Sequence, residues 1–239
     1  MTMIISAHLK DCLLIAADKR AMVCDIETGE MSLFHDDEAK IKLWSLGAIA
    51  GTGETIFLNR IINYFSHFQA KEQQLKQMNV IYEEIEKRLM EGVPKEILIN
   101  NTLIFSMFDG VQSHLYSIPI EPFFKEFERK DGVKVIHPYV HEISPWIVDV
   151  TCFNLPPDMS SLQNFQRNLK SLSSFESEFS FLEYHIQQLK QVFAIQASID
   201  PSITTSFDLY IQTCATGHSL ALHIDNPVLS SRPKELSLN

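Results

Sequence analysis

The second residue of the chain, Thr2, is the strongest candidate for chemistry, because it follows Met1 directly. Removal of an initiator methionine before a small residue exposes a free threonine amine beside the threonine's own hydroxyl. A hydroxyl is a weak nucleophile at its free pKa, and an N-terminal amine can act as its base. That amine titrates at about pH 8, so a useful fraction accepts a proton at neutral pH. Thr2 therefore predicts an N-terminal nucleophile, although many proteins begin with Met-Thr.

The segments that must position this residue predict buried β-strands. Residues 3–9 and 12–17 are short apolar runs joined by Lys10-Asp11, and each run is too short for a helix. Two such runs around a short polar turn favour a hairpin. Further strands are predicted at residues 21–36 (a hairpin or an irregular loop), 40–50, 102–108, 114–118, 133–136, 146–150, 207–212 and 219–224.

Helices are predicted where apolar residues recur at helical spacing. These segments are residues 54–69, 72–91 and 175–197, with a weaker pattern at 159–170. Thr52 is the expected N-cap of the first helix, and Glu84–Arg88 is an expected i,i+4 pair on the second. Gly92 and Pro94 should end that second helix. Strands and helices fall in separate blocks, which predicts an α+β fold with helices outside stacked sheets.

Composition limits the classes of partner. The 239 residues suit one domain or at most two small ones, and 20 Lys+Arg against 30 Asp+Glu give a formal net charge of −10. An acidic chain argues against nucleic acid as a partner. We expect no signal peptide, since the first residues carry no basic run followed by a long apolar stretch, and no apolar run reaches the roughly 20 residues that a membrane helix needs. We therefore expect a cytoplasmic protein with no membrane partner.

Cysteine and histidine positions give little support for a metal or a cofactor. The four cysteines lack metal-binding spacing, so we expect reduced thiols at Cys12, Cys24, Cys152 and Cys214. His137, His141 and Glu142 invite a metal interpretation, but Pro138 excludes a shared helical face between the histidines. A structural role is favoured for them, and we expect no cofactor and no metal.

Several short motifs occur in a fixed order along the chain. They are the Thr2 start, the Lys10-Asp11 turn, Ala17-Asp18-Lys19-Arg20-Ala21, Ala39-Lys40-Ile41, Ala50-Gly51-Thr52, Phe108-Asp109 with Leu115-Tyr116, and the turn at Asp200-Pro201. In this order they resemble the proteasome β subunits and their bacterial relatives, which are N-terminal-nucleophile (Ntn) hydrolases. The resemblance implies a four-layer αββα sandwich of two stacked antiparallel sheets with helices outside, over residues 1–224, followed by a C-terminal tail at 225–239.

The resemblance also implies a role for five residues. Thr2 corresponds to the nucleophile, with its own amine as base. Asp18 corresponds to a buried acid, and Lys40 to the lysine paired with that acid; such a pair favours deprotonation of neighbouring groups. The backbone N–H of Gly51 corresponds to the oxyanion donor, and a glycine there lets the substrate carbonyl approach. Asp200 is expected to orient the Thr2 amine.

Two of these residues have structural alternatives. Lys40 could be a solvated strand lysine like Lys42, and Asp18 could cap a turn. Arg20, close to Asp18 in the sequence, is expected to support the site through a salt bridge rather than to take part in the chemistry.

Three departures from the family pattern indicate a divergent bacterial branch, similar to Anbu or HslV. The usual Ser-Gly pair near the middle strands has no counterpart in residues 135–146. The Ser-Gly-Gly expected after Asp200 reads Ile203-Thr204-Thr205, with Ser202 one position away. The segment at residues 21–39 is also longer than is typical. These departures leave the proton relay around the Thr2 amine open.

The resemblance implies a threonine-type endopeptidase in a self-compartmentalised assembly. The partners expected are other copies of the chain, in a closed or an open ring, and a peptide or unfolded protein substrate; an ATPase partner stays unspecified. Three alternatives are a catalytically silent ring subunit, an Ntn amidohydrolase of small amides, and a non-enzymatic binding module. Loss of Met1 would favour an enzyme, and a monomeric state would favour small amides.

Overall fold

Fourteen strands and five α-helices make up the part of the chain that the computed structural model describes, residues 2–25, 28–66, 73–128, 134–136, 138–152 and 158–227. The strands are β1 (Met3–His8), β2 (Cys12–Asp18), β3 (Ala21–Cys24), β4 (Met31–His35), β5 (Lys42–Trp44), β6 (Gly47–Thr52), β7 (Thr102–Phe108), β8 (Ser113–Pro119), β9 (Glu126–Glu128), β10 (Lys134–Ile136), β11 (His141–Glu142), β12 (Val148–Cys152), β13 (Phe207–Thr213) and β14 (Ser219–Ile224). The helices are α1 (Thr55–Ser66), α2 (Gln73–Met90), α3 (Lys95–Ile99), α4 (Ser160–Arg167) and α5 (Glu178–Ile199). None of these helices has the length and apolar character that a membrane span requires.

Two five-stranded sheets organise the fold. The first sheet has the order β12-β1-β2-β13-β14 and the second has the order β11-β8-β7-β6-β5, while β3-β4 and β9-β10 form separate two-stranded sheets. The described strand pairs are antiparallel. The predicted α+β class with antiparallel sheets is therefore confirmed.

The hairpin of β1 and β2 forms the centre of the first sheet. Its turn requires Lys10 to adopt a left-handed conformation with φ 76°, which is costly for a residue with a side chain. The Leu9 N–H donates to the Cys12 carbonyl at 2.8 Å and closes the turn. Both strands are almost entirely buried, which explains their continuous apolar runs.

The apolar side chains form three clusters. The first lies where the first sheet meets α4 and α5, and includes Ile5 and Phe193. The second lies where the second sheet meets α1 and α2, and includes Ile49 and Ile61. The third draws on both sheets, with Ile4, Leu13, Ile15, Ala17 and Tyr210 from the first and Ala48, Ala50, Ile104 and Leu115 from the second. The central strands β1, β2, β6, β7 and β13 alternate their side chains between two of these clusters.

The predicted helices and strands appear close to their expected positions, but the N-cap of α1 was assigned wrongly. Thr52 is the last residue of β6, and Glu54 caps the helix instead. The Glu54 carboxylate accepts from the N–H groups of Ile56 at 3.1 Å and Phe57 at 2.8 Å. A carboxylate at this end also suits the positive end of the helix dipole.

The predicted pair Glu84–Arg88 was also wrong. Glu84 Oε1 instead lies 3.0 Å from Nη1 of Arg60 in α1, and Arg88 Nε lies 3.0 Å from Oε2 of the capping residue Glu54. Both side chains are buried and tie α2 to α1. The short elements α3, β9 and β11 had no prediction, since two to five residues carry too little periodicity to show a pattern.

Some sequence predictions fall on residues outside the described ranges. They concern Met1, His137, parts of the predicted elements at residues 26–27, 67–69, 72 and 133, and the greater part of the C-terminal tail, residues 228–239. Among the cysteines whose side chains are described, Cys12 and Cys214 are free thiols.

A buried histidine packs against Phe181 of the first apolar cluster. His185 of α5 is 0% exposed, and its Nδ1–H donates to the Phe181 carbonyl at 3.0 Å. Its ring contacts those of Phe175 and Tyr184, and the Lys170 N–H donates to its Nε2 at 3.5 Å. Burial lowers the pKa of His185 below its ordinary value, and Lys170 adds to that effect.

We predict that His185 makes the fold less stable in mild acid. Below about pH 6.5 the unfolded chain binds a proton at this residue more readily than the folded chain, so the free energy of unfolding falls as pH falls, by at most about 1.4 kcal/mol per pH unit. Urea unfolding at pH 7.5 and 5.5 should show a smaller loss for His185→Gln than for the wild type. His114, whose pKa is raised by its carboxylate neighbours, shifts stability in the opposite direction in both proteins. An equal loss in the two proteins would contradict the prediction.

Candidate active site

The carboxylate of Asp18 is the centre of the candidate site. Asp18 ends β2 and is 0% exposed. Its Oδ1 accepts from the Met3 N–H at 2.8 Å and from Lys40 Nζ at 2.8 Å, while its Oδ2 accepts from the Arg20 N–H at 2.9 Å. A buried carboxylate is tolerated only with such compensation. Through the Arg20 contact Asp18 also fills the turn-capping role that was the structural alternative.

Thr2 lies immediately before the backbone that Asp18 holds. Met3 pairs with Cys152 of β12 and donates its N–H to Asp18, so the backbone is anchored on both sides at the residue after Thr2. Thr2 itself is 8% exposed. It lines a pocket of about 70 Å³ together with Lys40 and Gly51. The structure thus places Thr2, Lys40 and Gly51 around one pocket, with Asp18 behind it.

Lys40 is a buried cation, which excludes the alternative of a solvated strand lysine. Its side chain is 7% exposed and its Nζ lies 2.8 Å from Asp18. Burial lowers the pKa of Lys40, and the Asp18 carboxylate opposes part of that shift. A partly desolvated ammonium beside Thr2 stabilises negative charge on a neighbouring oxygen.

Arg20 anchors the segment that carries Lys40. Its guanidinium binds Asp36 with both ends of the fork, Nε to Oδ1 at 2.6 Å and Nη2 to Oδ2 at 2.7 Å, and its Nη1 donates to the Pro201 carbonyl. The Glu38 N–H donates to the carbonyl of Lys19 at 3.0 Å. Two contacts therefore hold residues 36–38 against the end of β2, and Lys40 follows two residues later.

Gly51 lies at an open edge of β6. The pairing of β5 with β6 ends at Ile49, whereas Gly51 pairs with Leu103 of β7 on the other side. A Cβ at Gly51 would lie 2.6 Å from Cδ2 of Leu58 in α1. Glycine therefore keeps this part of the pocket open for a substrate carbonyl.

Asp200 occupies a different position from the other four residues. It caps the C-terminal end of α5, and its Oδ1 accepts from the N–H of Ser202 at 2.8 Å and from its hydroxyl at 2.6 Å. Burial, followed by the charge of Asp200, raises the pKa of the Cys152 thiol to about 11. Since Cys152 pairs with Met3, Asp200 lies near the strand beside Thr2, but it is not among the described residues that line the pocket.

The sequence did not single out several residues that line the pocket. Lys42 was taken as a solvated lysine, yet it lines the pocket beside Thr2. Met22, Glu38, Thr55, Asn59 and Ile62 are among the other lining residues that the sequence did not assign to the site. Only the alternation of β5 could have placed Lys42, and its register depends on pairing with β6 that the sequence does not reveal. Within the described ranges no cluster of His, Cys, Asp or Glu suits a metal ion.

Comparison with known proteins finds likeness in structure only. No protein-family model matches the sequence, and no curated protein does. A mutant of Anbu from Hyphomicrobium sp. strain MC1 superimposes with a TM-score of 0.58 at 15% identity, over 94% of this chain and 87% of that one. Anbu, an ancestral beta-subunit, from Yersinia bercovieri gives 0.56 at 12%, over 94% and 88%. Thiobacillus denitrificans BPH in complex with epoxomicin gives 0.52 at 11%, over 90% and 100%.

This likeness shows the fold. The chain has the fold of these proteasome-related bacterial proteins over nearly its whole length, as the order of its motifs indicated. At such low identity the activity of the chain must be argued from its own site.

We predict that Gly51→Ala lowers the free energy of unfolding by about 1–3 kcal/mol, because the new methyl group displaces Leu58. Leu58→Ala removes the atoms in conflict, so the double variant should lose less than the sum of the two single variants. Urea unfolding of the four proteins measures this coupling. Strict additivity would show that Leu58 does not restrict position 51.

Proposed function

We propose that this protein is a threonine-type endopeptidase of the Ntn-hydrolase class, with Thr2 as the nucleophile once Met1 is removed. The observation that carries the proposal is the Asp18 carboxylate, which binds the Lys40 ammonium and the Met3 N–H immediately beside Thr2. The pocket that adjoins Thr2, Lys40 and Gly51 offers space for a substrate carbonyl. The proteasome-related fold supports the same conclusion.

The geometry supports acyl transfer in two steps. The Thr2 hydroxyl attacks the substrate carbonyl and gives its proton to the Thr2 amine, while Lys40 stabilises the developing alkoxide. The oxyanion that forms accepts from the Gly51 N–H. The protonated amine then gives its proton to the leaving amine as the peptide bond breaks, which leaves an ester on Thr2. Water hydrolyses the ester and returns the proton to the Thr2 oxygen.

The amine of Thr2 must be oriented for both proton transfers. We assign this role to Asp200 together with Ser202, which is buried and donates its hydroxyl to Asp200. Ser202 would then stand in for the serine that the family pattern places one residue later. Epoxomicin, which was solved bound to Thiobacillus denitrificans BPH, is a suitable probe of the assigned nucleophile.

The three apolar clusters support a four-layer αββα arrangement for residues 1–224, with residues 225–239 as a tail. The first cluster joins α4 and α5 to the first sheet, the third joins the two sheets, and the second joins α1 and α2 to the second sheet. This order of layers is the one that the resemblance implied.

The assembly that we propose is a homo-oligomeric ring or open ring with Thr2 facing an inner chamber. A peptidase with an unguarded nucleophile is safe in the cytoplasm only if its site is enclosed. The hairpin of β3 and β4, next to the pocket, leaves Val23, Leu33 and Phe34 exposed by 46%, 55% and 68%. Exposed apolar groups of this kind favour contact with another subunit. The substrates would be peptides or unfolded proteins that can enter the chamber.

We predict that the purified chain is a homo-oligomer of roughly six or more copies, since rings close through heterologous contacts. Light scattering at micromolar concentration measures its mass. A monomer would leave the fold intact but remove the reason to prefer protein substrates, and would favour an amidohydrolase of small amides.

We predict that Thr2→Ala lowers peptidase activity by at least about a thousandfold, because the nucleophile is lost. Its free energy of unfolding should change by about 1 kcal/mol or less, since the side chain does not belong to an apolar cluster. Thr2→Ser is the matched control and should keep part of the activity, because it keeps a hydroxyl beside the amine. Hydrolysis of a fluorogenic peptide library measures both variants.

Intact mass separates the alternatives. A wild-type chain that retains Met1 would have a blocked amine and contradict the mechanism. A chain that loses Met1 but cleaves nothing would be a silent ring subunit. Activity of Thr2→Ala near that of the wild type would refute Thr2 as the nucleophile.

A further inference from the structure

Lys42 faces the same pocket as the proposed nucleophile. It is the first residue of β5 and pairs with Ile49 of β6, so both side chains lie on one face of the second sheet. Gly51 lies two residues beyond Ile49 and therefore shares this face. This register places Lys42 on the side of the sheet where Thr2 and Gly51 would hold a scissile carbonyl. Lys42 indeed lines the same pocket as those two residues.

Four charged side chains line the pocket, and three of them have partners. Those three are Arg20 with Asp36 at 2.6 Å, Lys40 with Asp18 at 2.8 Å, and Glu38 with His35 at 3.3 Å. The Lys42 side chain is different, because it makes no hydrogen bond or ion pair with any residue of the described ranges. It is also only partly exposed. A ligand group that pairs with the Lys42 ammonium in this pocket must therefore carry a negative charge or accept a hydrogen bond.

The pocket also has an apolar wall. Leu58 and Ile62 of α1 face it and are 8% and 6% exposed. A side chain that combines methylene groups with a terminal carboxylate would match both features, since its stem can contact the wall and its carboxylate can pair with Lys42. A basic side chain would face Lys42 and be repelled, and an aliphatic one would leave Lys42 desolvated without a partner.

We propose that Lys42 selects substrates with glutamate or aspartate at the residue whose carbonyl Thr2 attacks. The inference rests on the proposed peptidase function, because it assigns the pocket to the side chain next to the scissile carbonyl. Its chemistry is a charge-assisted hydrogen bond from the Lys42 ammonium to the substrate carboxylate. Lys42 is thus a residue that determines specificity and takes no part in the bond-breaking steps.

Covalent labelling tests the selection separately from turnover. Three peptide vinyl sulfones that differ only at the residue next to the reactive group, with glutamate, leucine or lysine there, are incubated with the full-length protein. Intact mass and mass spectrometry of the N-terminal peptide report the rate at which each probe modifies Thr2. The glutamate probe should react about tenfold faster than either of the others, which corresponds to about 1.4 kcal/mol.

Variants at position 42 identify the group responsible. Lys42→Gln should slow labelling by the glutamate probe about tenfold and leave the leucine probe nearly unchanged, and Lys42→Glu should make the lysine probe the fastest. Lys42→Met, which keeps the length of the stem, should act as Lys42→Gln does. The matched control is Lys95→Gln, which removes the same charge from α3, outside the pocket, and should keep the wild-type preference.

The outcomes distinguish the two proposals. Equal labelling of Thr2 by the three probes, or a preference for glutamate that survives in both Lys42→Gln and Lys42→Met, would overturn the selection by Lys42 and leave the peptidase mechanism standing. Labelling of Thr2 by none of the probes would overturn the peptidase mechanism and this inference with it.

Discussion

The burial of one carboxylate, that of Asp18, is the constraint on which the rest of the site depends. A fully buried charge must be compensated within the protein, and breaking such a pair by removing one partner typically costs about 3–5 kcal/mol. Asp18 meets this demand with Lys40, the Met3 N–H and the Arg20 N–H. These three donors belong to the start of β1, the turn after β2 and the segment after β4. The donors that stabilise the Asp18 charge therefore also position Thr2, whose amine is the proposed base and whose hydroxyl is the proposed nucleophile.

A second set of contacts holds Lys40 in position at the end of the hairpin of β3 and β4, which lies between β2 and Lys40. The pairing of β3 with β4 shifts register between Ala21 and Met22, so the hairpin alone would not fix where its final residues lie. Arg20 corrects for this by holding Asp36 and the Pro201 carbonyl at once. These contacts therefore fix the start of the segment that carries Lys40 independently of the pairing within the hairpin.

The sequence predicted the local elements well and the tertiary contacts only through motif order. The apolar runs of β1 and β2 and the periodicity of α5 are local signals, so they could be read directly. The cap of α1 could not, because Thr52 is drawn into β6 by pairing with Thr102 and leaves the helix end to Glu54. Likewise Lys42 reads as a surface residue until the register of β5 against β6 is known. The contact between Ser202 and Asp200 also needed the structure, since it forms across a turn.

In the proposed function, the two lysines of the pocket give one segment a role in catalysis and a role in recognition. Lys40 is paired with Asp18 at 2.8 Å, and in the proposed mechanism it acts on Thr2. Lys42 has no such partner and can act on a ligand. The whole chain carries a formal net charge of −10, which disfavours the approach of an acidic peptide. Screening confines that repulsion to roughly a Debye length, about 8 Å at physiological salt, so a substrate within the pocket responds mainly to the nearest charges. Recognition of a carboxylate by Lys42 is therefore compatible with an acidic protein, and it would act after the substrate has entered rather than during its approach.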